Sequence, residues 1–218
     1  TATGSANRTL TRLARSTSAL IEGRSPCLVT RRSRASAADR YWVGSTPNAR
    51  KARRHAARDG TSLNGVEPSR WVEITRENPE HSSWYVGRFR TMVAAGDDLA
   101  GEARFVDAMV ARGARILDAG CGPGRVGSAL AQVGHDVVGV DVDPFLIAAA
   151  EHDHPGPRWL VGDLAELDLP ARGISDGFDA IICAGNVMPF LAPSTRLTVL
   201  DRFRTHLHLD GRVAVGFG

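Results

Sequence analysis

The chain has 218 residues, 43% of them hydrophobic, which is enough for one globular domain plus a tail. No apolar run approaches the roughly 18 residues of a membrane-spanning helix, and three cysteines without a C-x-x-C pair suit neither a disulfide scaffold nor a zinc site. The net charge of +3 conceals an asymmetry that makes the overall pI a poor guide to partners: residues 1–66 carry 13 Lys+Arg against 3 Asp+Glu (net +10), and residues 67–218 carry 14 against 21 (net −7).

Residues 1–66 are rich in Arg, Ser, Thr and Ala, with the basic runs Arg31–Arg34 and Ala49–Arg58. Their apolar residues are sparse and lack a sustained period, so burial does not offset the entropy of ordering them. They are expected to be a basic, disordered tail. An organelle transit peptide, an arm for nucleic acid and a stretch that is not native coding sequence stay open beside that reading. Residues 67–218 are expected to be the folded domain. Trp84, Tyr85, Arg88 and Phe89 stand at helical spacings. A second helix runs through GDDLAGEARFVDAMVARG, with Asp97 or Asp98 as cap, Leu99, Ala103, Val106, Met109 and Val110 as its stripe, and Gly113 as its stop.

An alternation follows: strand Arg115–Ala119, helix Arg125–Val133, strand Asp136–Val142, helix Pro144–Glu151, strand Arg158–Gly162, strand Phe178–Ala184 and helix Ser194–Leu207. That last helix carries Leu197, Leu200, Phe203 and Leu207 on one face. A turn at Asp210-Gly211 leads into a fifth strand, Arg212–Phe217. Strands alternating with helices predict an α/β fold, doubly wound around a mostly parallel sheet.

In such a sheet the ligand sits beyond the carboxyl ends of the strands, where strand order reverses. The loop after the first strand carries four glycines between Gly120 and Gly127. Gly120, Gly122 and Gly124 let the backbone turn tightly against a ligand, and the following helix aims its N-terminus there. Gly122 to Gly127 formally match G-x-G-x-x-G, so a nicotinamide-dependent oxidoreductase is one reading. Asp118, two residues before the first glycine, speaks against it. A carboxylate there repels a pyrophosphate and suits a phosphate-free ligand bearing an ammonium group, as S-adenosylmethionine does.

The stretch ILDAGCGPG resembles the first motif of the class I S-adenosylmethionine-dependent methyltransferases, and three further stations fall in order: VVGVDVD, LVGDLAEL and FDAIICAGNVM. The resemblance covers roughly Trp84 to Gly218. It implies S-adenosylmethionine as cofactor, with Asp118, Gly120, Cys121, Gly122 and Gly124 around its amino acid part. It implies Asp141 and Val142 at the ribose, Asp163 and Leu164 at the adenine, and Ala184 beside the methyl group. Tyr85 and Arg88, on a helix that family members use as a lid, are candidate contacts to the cofactor. Asn186 and Met188 are candidates for the acceptor pocket. The sequence after the fourth strand, CAGNVMPF, lacks the D-P-P-Y type signature of amino-methylating nucleic-acid enzymes, so a small-molecule acceptor is expected.

Bland roles are assigned to the remaining reactive residues. His152 and His154 belong to a solvent-facing helix end, and no metal site is expected. Cys121 is a small loop residue rather than a nucleophile, and Cys183 is a core residue. Free thiols fit a reducing cytoplasm. Nucleic acid enters only through the basic tail, no membrane partner is expected, and nothing in the sequence speaks to oligomeric state. A non-catalytic binding module is the remaining alternative. The family's sheet has seven strands, so this chain reads as truncated after the fifth, with that strand left as an exposed apolar edge.

Overall fold

Near-continuous apolar runs such as RILDA, DVVGVD and FDAIIC form strands only where both faces are covered, and the computed structural model shows how. It describes residues 67–216 together with the strand Cys27–Arg31; the rest of the basic tail lies outside the described residues. In chain order the elements are β1 (Cys27–Arg31), α1 (Arg70–Glu77), α2 (His81–Ala94), α3 (Gly101–Asp107), β2 (Arg115–Ala119), α4 (Arg125–Gln132), β3 (Asp136–Asp141), α5 (Pro144–Asp153), β4 (Arg158–Val161), β5 (Phe178–Cys183), α6 (Val187–Phe190), α7 (Arg196–His206) and β6 (Leu207–Gly216).

The sheet order is β1-β6-β5-β2-β3-β4, and the five strands from β6 to β4 are parallel. Alternate side chains feed two cores. Leu117, Val138, Val140 and Ile181 face Val199 and Phe203 of α7, while Ile116, Val137, Ala180 and Ile182 face Val106 of α3 and Leu130 of α4. Strand order reverses between β2 and β5, which places the switch point at the loop after β2.

Several expectations need correcting. The outer edge of the last strand is not open: Cys27–Arg31, inside the segment read as a disordered tail, pairs antiparallel with β6 in the register Cys27↔Gly216 to Arg31↔Arg212. β6 starts at once after α7, and Asp210-Gly211 lies in an irregularity of the β5 pairing rather than in a turn before the strand. Phe203 and Leu207 are buried and Leu200 packs against the core as the spacing predicts, with Val199 and His206 buried beside them, while Leu197 is 69% exposed. His206 earns burial by satisfying both ring nitrogens: Nε2 accepts from the Leu169 N–H at 3.1 Å, and Nδ1 meets the Arg202 carbonyl at 2.7 Å. α3 is shorter than its apolar stripe suggested. Asp98 instead accepts from the Ala100 N–H and pairs with Arg104 ahead of the helix.

Candidate active site

A cavity of about 390 Å³ opens beyond the carboxyl ends of the parallel strands. Its floor is the loop after β2, with Asp141, Asp163 and Ala184 at the ends of the neighbouring strands. Its roof is built by α1 and α2, which contribute Trp71, His81, Tyr85 and Arg88, while Asn186 and Phe190 close one side.

The loop is folded by its own backbone. Gly120, Gly122 and Gly124 have φ of +79°, +54° and +82°, a region that side chains other than glycine's rarely enter. The Gly120 and Cys121 N–H groups donate to the Val140 carbonyl at 2.8 and 3.1 Å, and the Gly124 N–H donates to the Cys121 carbonyl at 3.0 Å. The Gly122 N–H donates to Asp141 Oδ2, and the Gly127 N–H to Asp118 Oδ2, both at 2.8 Å.

Not all the glycines face the cavity. A Cβ on Gly124 or Gly127 would meet the Trp159 ring at 3.0 and 2.9 Å, and one on Gly139 would collide with it. Trp159 is 5% exposed and lies beneath the loop with Cys121, Ile147 and Ala150. Its indole N–H donates to the His154 carbonyl at 2.9 Å. Part of the glycine content thus makes room for a buried indole.

Two carboxylates face the cavity from deep burial. Asp118 is 2% exposed, and burial pushes it up to about 7 against the Gly127 N–H bond that favours its ionised form. Asp141 is 9% exposed and is pushed up to about 6 by burial, while the Asp143 and Gly122 N–H groups hold it back. The nearest cation, Arg125, is engaged elsewhere. It binds Glu102 through two contacts of 2.8 Å and lies 5.6 Å from the Phe89 ring centroid. Asp163 accepts from the Ala165 N–H at 2.8 Å and lines the cavity beside Leu164.

This arrangement accepts a ligand that brings hydrogen-bond donors and positive charge. It disfavours a pyrophosphate, because the N–H groups of Gly120, Cys121, Gly122, Gly124 and Gly127 already have partners within the protein. S-adenosylmethionine, with an ammonium, a sulfonium and ribose hydroxyls, fits these carboxylate acceptors.

Of the residues singled out in the sequence, Tyr85, Arg88, Asp118, Gly120, Cys121, Gly122, Asp141, Val142, Asp163, Leu164, Ala184 and Asn186 all border this cavity. Gly124 lies just behind, as the left-handed cap of α4. Met188 does not border it and packs against the core beneath α7. The Cys121 thiol sits in the Trp159 cluster, and burial raises it well above the ordinary thiol range. Among the described residues no group of three His, Cys, Asp or Glu is placed to hold a metal ion, and no helix is long and apolar enough to cross a membrane.

The sequence reading missed the rest of the roof. Trp71, His81 and Trp84 form a contiguous aromatic group, with Trp71 and His81 edge-on at 5.1 Å between centroids and His81 and Trp84 tilted at 5.4 Å. Trp71 also meets the Tyr85 ring edge-on at 5.1 Å. The available signal was Ser69, whose hydroxyl caps α1 by accepting from the Val72 N–H.

Comparison with known proteins agrees with this geometry. Residues 116–211 match the pattern described as Methyltransferase domain. A TehB-like SAM-dependent methyltransferase from Corynebacterium glutamicum is 51% identical, with a TM-score of 0.60 over 65% of this chain and 74% of that one. The magnesium-protoporphyrin O-methyltransferase of Rhodobacter capsulatus is 38% identical over 101 residues, 43% of this chain and 42% of that protein. The ribosomal protein L11 methyltransferase of Methylococcus capsulatus is 33% identical over 112 residues, 51% and 36% respectively. The chain therefore spans less than half the length of the curated relatives it matches. With the glycine loop, the two buried acids and a 51% identical relative in agreement, this chain belongs to the class I S-adenosylmethionine-dependent methyltransferases.

Proposed function

We propose that the enzyme transfers a methyl group to a small-molecule acceptor that enters beneath α1 and α2. The observation that carries this reading is the closed set of loop N–H groups facing two buried carboxylates that have no cation of their own. Asp118 then lies on the ammonium side of the cofactor, Asp141 takes the ribose hydroxyls, and Asp163 with the Leu164 N–H takes the adenine. Ala184 and Asn186 border the position of the methyl group. When bound, S-adenosylmethionine supplies a methyl already activated by its sulfonium.

The protein's task is alignment and exclusion of water, which in such displacements carries most of the acceleration. Support for a small acceptor comes from the cavity itself. Its volume of about 390 Å³ is that of one compact ligand site, which the cofactor takes, so the support lies in the side chains that line it. The roof above it is aromatic rather than broadly basic. The relatives' names differ on this point, one naming a magnesium-protoporphyrin acceptor and another a ribosomal protein, so the cavity is the better guide. His81, the imidazole lining the cavity between Trp71 and Trp84, takes the proton where the acceptor must lose one. Two buried, unpaired cysteines, Cys121 and Cys183, fit a reducing cytoplasmic setting.

The test is calorimetric titration with adenosylhomocysteine and NADH, followed by methyl transfer from labelled cofactor to a metabolite extract and to a ribosomal fraction. Adenosylhomocysteine binding with label in the extract is the expected result. Tighter NADH binding overturns the cofactor assignment, and label confined to the ribosomal fraction overturns the acceptor class.

A further inference from the structure

One buried carboxylate behind the cavity wall receives donors from three elements. Asp143 caps α5 by accepting from the Phe145 N–H through Oδ1 at 2.8 Å. Its Oδ2 accepts from the Trp71 indole N–H at 2.8 Å and from the Ser82 hydroxyl at 2.5 Å. Trp71 belongs to α1 and Ser82 to α2, so one oxygen holds both roof helices. The backbone of the same residue reaches the floor: the Asp143 N–H donates to Asp141 Oδ1 at 3.0 Å, while Asp141 Oδ2 receives the Gly122 N–H. Floor and roof meet in the three-residue turn Asp141-Val142-Asp143.

Capping alone does not explain this residue. Capping uses one oxygen, and serine or asparagine performs it equally well. A neutral cap, however, cannot serve both roof donors. Asparagine at 143 can still accept from the Phe145 N–H, but its amide NH2 then faces the Trp71 N–H, which has no acceptor function. Serine caps but is too short to reach either helix. A carboxylate is the short side chain that caps α5 and accepts from both helices at once.

The roof has two other sets of contacts to α5. Trp71, Tyr85 and Val86 pack on Leu146 and Ala149 of α5, and Arg90 pairs with Asp153 at the far end of that helix, in an exposed position. We propose that Asp143 is a positioning residue of the methyl-transfer reaction. It touches neither cofactor nor acceptor, and it fixes Trp71 and the α1–α2 roof against the turn that presents Asp141 to the ribose. A cofactor seated on Asp141 therefore finds its roof already held in place.

The test compares Asp143→Asn, Asp143→Ser and Trp71→Phe in the full chain. Asp143→Asn and Asp143→Ser keep the cap, and Trp71→Phe keeps the ring and leaves Asp143 untouched. Hydrogen–deuterium exchange is measured without ligand, and adenosylhomocysteine affinity by calorimetry. Exchange over residues 70–94 is expected to quicken about tenfold in all three, with α4 unchanged, and affinity to fall about tenfold, the size of one lost bond to a charged acceptor. Unchanged exchange over residues 70–94 overturns the proposal. Faster exchange with undiminished affinity also overturns it, because the roof would then be tethered without serving the site. Trp71→Phe decides the matter should the changes at Asp143 unfold α5. The exchange arm stands even if the wild-type chain failed to bind adenosylhomocysteine, so failure of the cofactor reading remains distinguishable.

Discussion

The floor of the cavity, made by β2, β3 and their loops, has its polar groups engaged and its apolar groups buried, whereas the roof, made by α1 and α2, leaves its rings half in solvent. Asp118, Asp141 and Trp159 are all under 10% exposed, while Trp84 is 58% exposed and α1 has no buried residue. The floor is stabilised by the same contacts that shape it for the cofactor. The roof is tied down by one buried carboxylate and by the packing of Trp71, Tyr85 and Val86 on Leu146 and Ala149. Changes in the floor should therefore register first as stability or cofactor affinity, and changes in the roof as acceptor handling.

The largest effect is expected from the indole under the glycine loop. Trp159→Ala should cost about 3–5 kcal/mol by denaturant titration, the usual range for deleting a buried aromatic ring. Gly139→Ala forces a Cβ into that ring within a central strand and should cost about 1–3 kcal/mol. The double variant should cost clearly less than the two together, because the new methyl occupies space the ring vacates. Strict additivity would show that the ring does not dictate these glycines.

Next in size is Asp118→Asn. The variant keeps an acceptor for the Gly127 N–H but loses the charge, so adenosylmethionine affinity should fall about 100-fold, the upper range for a bond to a charged group. Ligand-free stability should move the other way. Burial raises the folded-state value from 3.8 to about 7, so the neutral acid stabilises the fold at low pH, and that contribution fades as pH rises from about 4 through about 7. The melting temperature of Asp118→Asn should therefore exceed that of the wild type by a few degrees at pH 8 and match it near pH 4.

A smaller, graded effect is the pH dependence of binding. A cationic ligand favours both acids ionised, so affinity should rise with pH as Asp141 ionises near 6 and Asp118 near 7. The change should approach tenfold per pH unit while one of them is still protonated, and Asp118→Asn should keep only the lower step. A flat profile between pH 5 and 8 would mean that the buried acids do not face the cofactor's charge.

The same contrast governs how much could be read from the sequence. The floor was legible because its signals are local: an apolar strand, an acid two residues before a glycine, and three glycines that need a left-handed backbone. Asp141 and Asp163 followed from the resemblance of VVGVDVD and LVGDLAEL to the family's later motifs. The roof was legible only in α2, through Tyr85 and Arg88; α1 was not, because it is eight residues long and its Trp71 is fixed by an acid 72 positions away. Trp159 hid in the same way, since nothing local to β4 shows that an indole fills the hollow under Gly124 and Gly139. The pairing of Cys27–Arg31 with β6 was missed because five residues in an Arg- and Ser-rich stretch carry little periodicity, and the pairing depends on backbone bonds to a distant edge.

The smallest expected effects lie on the roof and test the contrast most sharply. Arg88 is exposed, borders the cavity and has no carboxylate partner among the described residues; its guanidinium carbon lies 5.8 Å from the Phe89 ring centroid. An exposed charge of this kind contributes little and is screened by salt. Arg88→Ala should weaken cofactor binding about threefold at low ionic strength and negligibly at high salt. Trp84→Ala should leave cofactor affinity and melting temperature unchanged and raise the acceptor KM a few-fold, because the ring is largely outside the core yet borders the cavity mouth. A loss in Arg88→Ala as large as that in Asp118→Asn, and insensitive to salt, would erase the distinction. The roof would then grip the cofactor as firmly as the floor does, and the acceptor would have to enter from the side of Asn186 and Phe190.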